Sequence, residues 1–217
     1  MNRLGVSVQV GMIMVLATLT IAVAVVYTSL KPSVNKAVEI SQENTVLHYF
    51  KLLRFSSLKI VRGCPLSEVV VKSFGGYYSF ERTGFVSVNG TTYSIYSLTY
   101  RSESFEVSLE NGAVLLNSQI IEEPVILCNS SCLLVLPLIE GEGSVGGRGN
   151  VIVTLEEVGR EYYRNATAIT INSSRDNVWL DYFKFKGFDA EIVNDNITVK
   201  FPNAADVIIV RIGCTLR

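Results

Sequence analysis

One uncharged, apolar stretch near the amino terminus limits what this chain can become. No charged residue occurs between Arg3 and Lys31, and the segment from Val6 to Leu30 is almost entirely apolar. As an α-helix, its 25 residues are about 37 Å long, enough to cross a hydrocarbon core of about 30 Å. A single segment in lipid must satisfy its own backbone hydrogen bonds, which requires a helix despite the many β-branched residues. The sequence therefore predicts a transmembrane helix over residues 6–30.

The rest of the composition argues against several classes of function. The 217 residues are enough for this helix and one ordinary domain, and the net charge of −1 gives no reason to expect a nucleic-acid partner. His48 is the only histidine, and no Gly-x-Ser-x-Gly motif occurs. A Gly-x-Gly-x-x-Gly match at 141–146 is followed by a strand pattern rather than a helix, which favours a turn. We expect no enzyme activity, no metal site and no cofactor.

Four cysteines follow the apolar stretch, namely Cys64, Cys128, Cys132 and Cys214. An even number in an exported domain is compatible with two disulfides, and four cysteines allow three pairings. Free buried thiols remain an alternative. A zinc site is a weaker one, because Cys64 and Cys214 lack the second ligand nearby that structural zinc sites use. The sequence leaves the pairing open.

Five N-glycosylation sequons also follow the apolar stretch. They begin at Asn89, Asn129, Asn165, Asn172 and Asn196. Glycan acceptors belong to exported surfaces, although only some sequons are expected to be used. Together with the cysteines, they predict a single-pass membrane protein with an extracellular carboxyl-terminal head.

The segment after the anchor has the pattern of an amphipathic helix. Apolar residues recur every three or four positions over residues 31–62, with charged residues between them. Pro32 predicts a kink where the two helical segments join, and Gly63 predicts the end of the helix. We therefore expect one long helix made of an anchor and a stalk.

The remaining residues have the pattern of a β-rich head. From Leu66 the apolar residues recur at every second position, and Asn89-Gly90 and Asn111-Gly112 are strong hairpin signals. A short helix is expected from Arg175 to Phe185. The predicted fold class is α+β, with a long transmembrane and stalk helix followed by an antiparallel β-sandwich-like head with one short helix. The predicted segments are a leader at 1–5, the anchor at 6–30, the stalk at 31–62 and the head at 63–217.

The layout resembles that of archaeal type IV pilin-like proteins, including archaellins. The chain looks most like a group of uncharacterised archaeal pilin-like membrane proteins. The matching stretches are GVSVQVGMIMVLATLTIAVAVVYTSL, IVRGCPLSEVVVKSFGGYYSF and SLENGAVLLNS. The resemblance implies cleavage by a prepilin-type peptidase between Gly5 and Val6, and packing of the apolar helices in a filament core. Leu4 stands where the family usually has a basic residue, and no acidic residue occurs early in the helix, which favours a minor subunit.

Two hypotheses about function follow. The first is a non-enzymatic pilin-like subunit of an archaeal surface filament or secretion-type assembly. Its partners would be membrane lipid, through Val6 to Leu30, and other pilin-like subunits or envelope proteins. The alternative is a monomeric β-sandwich module that is tethered to the membrane and binds envelope protein or carbohydrate.

Overall fold

The computed structural model describes residues 3–128 and 132–217, with side chains from residue 10 onward. It divides into two compact units, one ending at Glu43 and one comprising Asn44–Arg217. Helix α1 runs from Arg3 to Val61 and contributes residues to both units. The helix continues through Pro32. The long apolar amino-terminal helix expected from the sequence is confirmed.

The end of α1 follows from the glycine at residue 63. Gly63 has a φ of 101°, a conformation that residues with a side chain rarely adopt. The N–H of Gly63 donates to the carbonyl of Ile60 at 2.9 Å, and the N–H of Cys64 donates to the carbonyl of Lys59 at 3.0 Å. These two hydrogen bonds form a Schellman motif, so the predicted stop is confirmed.

Ten strands form one sheet within the described residues. The strands are β1 (Leu66–Val88), β2 (Thr91–Arg101), β3 (Glu106–Glu110), β4 (Ala113–Leu116), β5 (Gln119–Glu122), β6 (Val125–Cys128), β7 (Cys132–Glu140), β8 (Ser144–Ser173), β9 (Asp189–Val193) and β10 (Asn196–Leu216). Helix α2 covers Asp176–Phe185. Asn89 and Asn111 have φ values of 49° and 51°, and each lies in a tight turn between paired strands, as the Asn-Gly pairs predicted.

The strands pair in the order β5-β4-β3-β2-β1-β8-β10-β7-β6, and β9 pairs with β10. A further pairing joins β2 to β7 through Tyr96 and Ile139. Strands β1, β2, β7, β10 and β8 therefore form a closed ring in this part of the chain. The ring differs from a sandwich of two separate sheets because its five strands pair continuously around it. The first half of β1 pairs with residues 144–156 of β8, and its second half with residues 169–173.

Most of the pairing is antiparallel, as predicted, but one pair is not. In β1 and β8, the partner numbers fall along one strand as they rise along the other, from Leu66–Glu156 to Ser79–Ser144, which is an antiparallel register. In β7 and β10, they rise together from Cys132–Ala205 to Glu140–Gly213. The expectation of a wholly antiparallel head is therefore wrong at β7 and β10.

The sheet is covered by a hydrophobic cluster on each face. One cluster combines residues of α1 with β1, β2, β8 and β10, and the other contains α2. In β10, Ile209 belongs to the second cluster and Val210 to the first, because adjacent side chains point to opposite faces. Trp179 and Phe183 of α2 are buried, so the short helix expected from the sequence packs as a core element.

The carboxyl-terminal part of α1 lies in the core of the head. Val46, Phe50, Leu53 and Ile60 have no exposed surface and pack in the first cluster. The compact unit accordingly begins at Asn44, whereas the sequence placed the start of the head at residue 63. The apolar face that was interpreted as part of a stalk is one wall of this core.

The end of α1 is also held by an arginine from the sheet. Arg160 of β8 donates to the carbonyl oxygens of Ile60 at 3.0 Å and Val61 at 2.7 Å. Its guanidinium is oriented by two hydrogen bonds to the Glu157 carboxylate. The terminal carbonyls of a helix lack partners within the helix, and a cation there is favourable.

We expect Arg160→Met to lower the free energy of unfolding by about 1–3 kcal/mol, since it removes hydrogen bonds made by a charged donor. Urea unfolding of the purified chain measures the change. Arg164→Met is the matched control, because Arg164 is exposed on the same strand. Equal stability of the two variants would show that the Arg160 contacts do not stabilise the helix end.

Candidate functional site

The longest exposed apolar surface lies on the amino-terminal part of α1. Every residue from Val10 to Leu30 is exposed, and the helix is long and apolar enough to cross a membrane. The hydroxyls of Thr18, Thr20 and Thr28 each donate to the backbone carbonyl four residues earlier, at 2.8–2.9 Å. These hydroxyls therefore need no water, and burial in lipid does not leave them unsatisfied.

The predicted leader cleavage point lies in the first turns of α1. The backbone of Gly5 and Val6 is helical, and their side chains lie outside the described residues. Cleavage between them stays a prediction.

Two of the sequons occupy exposed positions. Asn89 lies in the turn between β1 and β2, and Asn165 lies within β8 at a φ of 56°. The threonine of each sequon, Thr91 and Thr167, is exposed as well. Both asparagines are therefore accessible in the folded head.

The other sequons differ in accessibility or lie outside the description. Asn172 and Asn196 are partly buried, and their side-chain amides donate to the carbonyls of Asp195 at 3.0 Å and Asn194 at 2.8 Å. These amide groups are the glycan attachment points and are already engaged. Asn129 lies outside the described residues.

The cysteines form one disulfide and leave two free thiols. Cys128 and Cys132 are bonded and are direct partners in the ladder between β6 and β7. Cys64 is exposed and free, and Cys214 is buried and free. The structure therefore has one of the two disulfides that the four cysteines made possible, and these two candidates do not form the second. Burial raises the pKa of the Cys214 thiol to about 12.

The position of β8 explains why the second pair does not form. Cys214 pairs with Leu155 on one side of β8, and the carbonyl of Pro65 accepts from Glu157 on its other side. Two ladder spacings separate such positions by about 9–10 Å. A disulfide needs Cα atoms within about 7 Å.

Metal ligands do not gather in the described residues, where no group of three His, Cys, Asp or Glu side chains could hold an ion. A buried carboxylate is instead satisfied by protein donors. Glu110 has no exposed surface, and it accepts from the Ser173 hydroxyl at 3.0 Å, the Arg175 guanidinium at 2.9 Å and the Trp179 indole at 2.7 Å. Because its donors come from β8 and α2, Glu110 connects these elements to the β3 strand.

A polar cleft of about 610 Å³ opens in the head where β2 and β7 separate. Thr92, Tyr93, Ser94, Tyr96, Glu140, Gly141, Glu142 and Arg211 line it. The Tyr96–Ile139 pair is the only ladder contact between the two strands in the described residues, so both backbones diverge beyond it. The cleft is therefore the open part of the seam that closes the strand ring.

One wall of the cleft is held by a cluster of tyrosines around a carboxylate. The Tyr163 hydroxyl donates to Glu161 at 2.8 Å, and the Tyr93 hydroxyl is hydrogen-bonded to both of these side chains. Burial and these hydrogen bonds raise the pKa of Tyr93, and the two tyrosine hydroxyls lower the pKa of Glu161. Tyr93 is thus a fixed, neutral hydroxyl group at neutral pH.

This cleft was hard to predict from the sequence, because its residues come from three separate stretches of chain. One signal was available. Arg211 is a charged residue within the apolar strand VIIVRIGC. Charged residues are rare in buried strands, so its presence indicates that this part of the strand is accessible.

The chain matches the model of a protein family over nearly its whole length. Residues 5–217 match DUF7289, which is described as a family of unknown function. The chain belongs to this family. The matched region includes both α1 and the complete head. No curated protein and no solved structure matches the chain.

Proposed function

We propose that this DUF7289 protein is a non-enzymatic, membrane-anchored subunit of pilin-like type. It acts as a minor component of an archaeal surface filament or secretion-type assembly, with the glycosylated head outside the cell. The single-pass anchor is the apolar part of α1, and the partners are lipid and the corresponding helices of other subunits.

The observation that carries the proposal is the exposed apolar surface from Val10 to Leu30 with its internally satisfied threonine hydroxyls. Such a surface is stable either in lipid or against other apolar helices, and a pilin-like subunit uses both environments in turn. The resemblance of the leader and helix to archaeal pilin-like proteins supports the same choice. The family match extends over helix and head together, which supports treating them as one functional chain.

The alternative is a tethered monomer whose head binds an envelope component. The cleft between β2 and β7 favours this alternative, because it is a concave polar site outside the anchor. Processing of the amino terminus discriminates between the two functions, since polymerising pilins lose their leader and a tethered monomer has no need to.

Mass spectrometry of the chain from its native membrane is expected to find Val6 as the first residue, with Met1–Gly5 removed. Gly5→Val is expected to keep the leader, because a prepilin-type peptidase cleaves after glycine. Crosslinking through the apolar helix should give multimers only for the processed chain.

A wild-type chain that keeps Met1 and remains monomeric in the native membrane would contradict the pilin-like function and favour the tethered module. Gly11→Val is the control variant, since Gly11 lies in the same helix with no atom near the added side chain. It should be processed like the wild type.

A further inference from the structure

We propose that the cleft between β2 and β7 binds a neutral saccharide. The proposal concerns the head alone, and it stands whether or not the chain assembles into a filament. It depends on the seam of the strand ring, on Arg211 and on the mixed charge of the lining.

The seam supplies free backbone groups as well as side chains. β2 pairs with β1 on one side along its whole length, from Thr91–Val88 to Arg101–Tyr77. On its other side, β3 pairs only with residues 98–101, and β7 only with Tyr96. The edge of β2 from Thr91 to Ile95 therefore faces the cleft without a neighbouring strand in the described residues.

Arg211 brings to this cleft a guanidinium whose contacts with Glu140 and Glu161 are electrostatic and longer than a hydrogen bond. Its closest ionic contact is to Glu140 at 3.6 Å, and it makes no hydrogen bond within the described residues. By contrast, Arg160 donates four hydrogen bonds and Arg175 two, all of 3.0 Å or less. A partly buried guanidinium with N–H groups that have no protein acceptor can donate hydrogen bonds to the oxygens of a ligand.

The position of this guanidinium is set by a glycine on the adjacent strand. Gly159 of β8 is the ladder partner of Arg211, and a Cβ at Gly159 would lie 2.8 Å from Nη2 of Arg211. The arginine side chain therefore lies across the glycine. A side chain at residue 159 would therefore displace the Arg211 guanidinium.

The lining charges decide the chemical class of the ligand. Glu140 and Glu142 would repel a small anion, and the Arg211 guanidinium beside Glu140 offsets part of the attraction that the two carboxylates would exert on a small cation. A ligand that contacts both the carboxylates and the guanidinium needs hydrogen-bond donors and acceptors close together, and it needs no net charge. Adjacent hydroxyl groups on a sugar ring have this arrangement, donating to a carboxylate and accepting from a guanidinium.

The apolar part of the lining also favours a sugar over a peptide. Tyr96 contributes the accessible apolar surface, since Tyr93 is only 8% exposed, and no aliphatic side chain lines the cleft. A peptide added to a strand edge gains specificity from pockets for its alternate side chains, and such pockets need apolar walls. A tyrosine ring with its hydroxyl presents an apolar face and a polar edge, which matches a sugar ring.

The saccharide has two possible sources. Asn89 is exposed in the turn that leads into β2, and Thr92 of the same strand lines the cleft, so a glycan on Asn89 would begin close to it. A sugar from the envelope or from another chain has the same chemistry.

The test uses the full chain without glycans in lipid nanodiscs, which avoids detergents with sugar headgroups. Calorimetric titration measures binding of maltotriose, mannotriose and chitotriose. Trigalacturonate and an uncharged peptide of alternating Ser and Val are the comparison ligands. We expect saturable binding of at least one neutral trisaccharide, weakened roughly tenfold or more by Arg211→Met, the loss of a charged hydrogen-bond donor.

Two further variants complete the test. Gly159→Ala should weaken binding while the positive charge is retained, because the added methyl group displaces the guanidinium. Arg148→Met should leave binding unchanged, since Arg148 is exposed outside the cleft. No binding of any neutral trisaccharide, binding only of trigalacturonate or the peptide, or equal binding by Arg211→Met would each overturn the proposal.

The source is resolved with chain from the native host. Thr91→Val removes the Asn89 sequon and leaves the Asn-Gly turn intact. If the native chain binds added trisaccharide only after this change, its own Asn89 glycan occupies the cleft. If it binds with or without the change, the sugar comes from elsewhere, and both results support a saccharide site.

Discussion

A chain shortened to residues 44–217 is expected to fold as a soluble head, and a chain shortened to residues 63–217 is expected not to fold. The two differ only in the last part of α1. The longer one keeps the whole compact unit and loses the exposed apolar surface. The shorter one corresponds to the boundary that the sequence pattern suggests.

The expected difference follows from the burial of four side chains. Val46, Phe50, Leu53 and Ile60 are completely buried against strands β1, β2, β8 and β10. Removing a buried side chain of this size costs roughly 2–5 kcal/mol, and the total stability of a domain is about 5–15 kcal/mol. The summed cost of losing all four side chains exceeds the free energy of unfolding of a typical domain.

Circular dichroism and denaturant unfolding after expression of both chains provide the measurement. A matched pair of substitutions in the 44–217 chain gives a finer version. Phe50→Ala should lower the free energy of unfolding by about 3–5 kcal/mol, because it leaves a cavity. Phe55→Ala should change it by about 0.5 kcal/mol or less, since Phe55 is half exposed. A cooperatively folded 63–217 chain would show that the helix is not part of the core.

The sequence pattern predicted the elements of this fold better than their assembly. The helix stop at Gly63 and the turns at Asn89 and Asn111 depend on local backbone chemistry, which glycine and asparagine reveal directly. The role of residues 44–61 was not visible, because an apolar face at helical spacing looks the same in a stalk and in a core.

The pairings that close the ring could not be predicted for a similar reason. Whether β7 lies parallel to β10 depends on contacts between strands far apart in sequence. The residues of each strand do not by themselves indicate which strand it pairs with or in which direction. The cleft arises from this closure, so Tyr93, Tyr96 and Arg211 could not be grouped from spacing alone. The Cys128–Cys132 disulfide, in contrast, joins close neighbours, and its two cysteines were among the candidates.

The second large effect is expected from Glu110→Ala, which should lower the free energy of unfolding by about 3–5 kcal/mol. The carboxylate is fully buried, and its removal leaves the Trp179 indole N–H without its acceptor and the buried Arg175 charge with one carboxylate, Glu106, instead of two. Breaking a buried ion pair by removing one member costs more than the pair contributes, because the other charge stays in a low-dielectric interior. Urea unfolding of the full head measures the loss.

A double substitution separates the cost of a buried charge that has lost one of its two carboxylate partners from the loss of packing. Arg175 also pairs with Glu106 at 2.8 Å. Burial opposes the charge of Glu106, but hydrogen bonds from Arg101 and Arg175 outweigh it and hold its pKa below the usual value. Because Glu106 keeps its bond to Arg101 at 2.7 Å, the double variant Glu110→Met with Arg175→Met leaves it paired. We expect this variant to recover much of the stability lost in Glu110→Ala, since apolar side chains replace both buried charges. If the double variant is less stable than Glu110→Ala alone, the buried ion pair itself stabilises the head, and the explanation from the lost carboxylate partner of Arg175 is wrong.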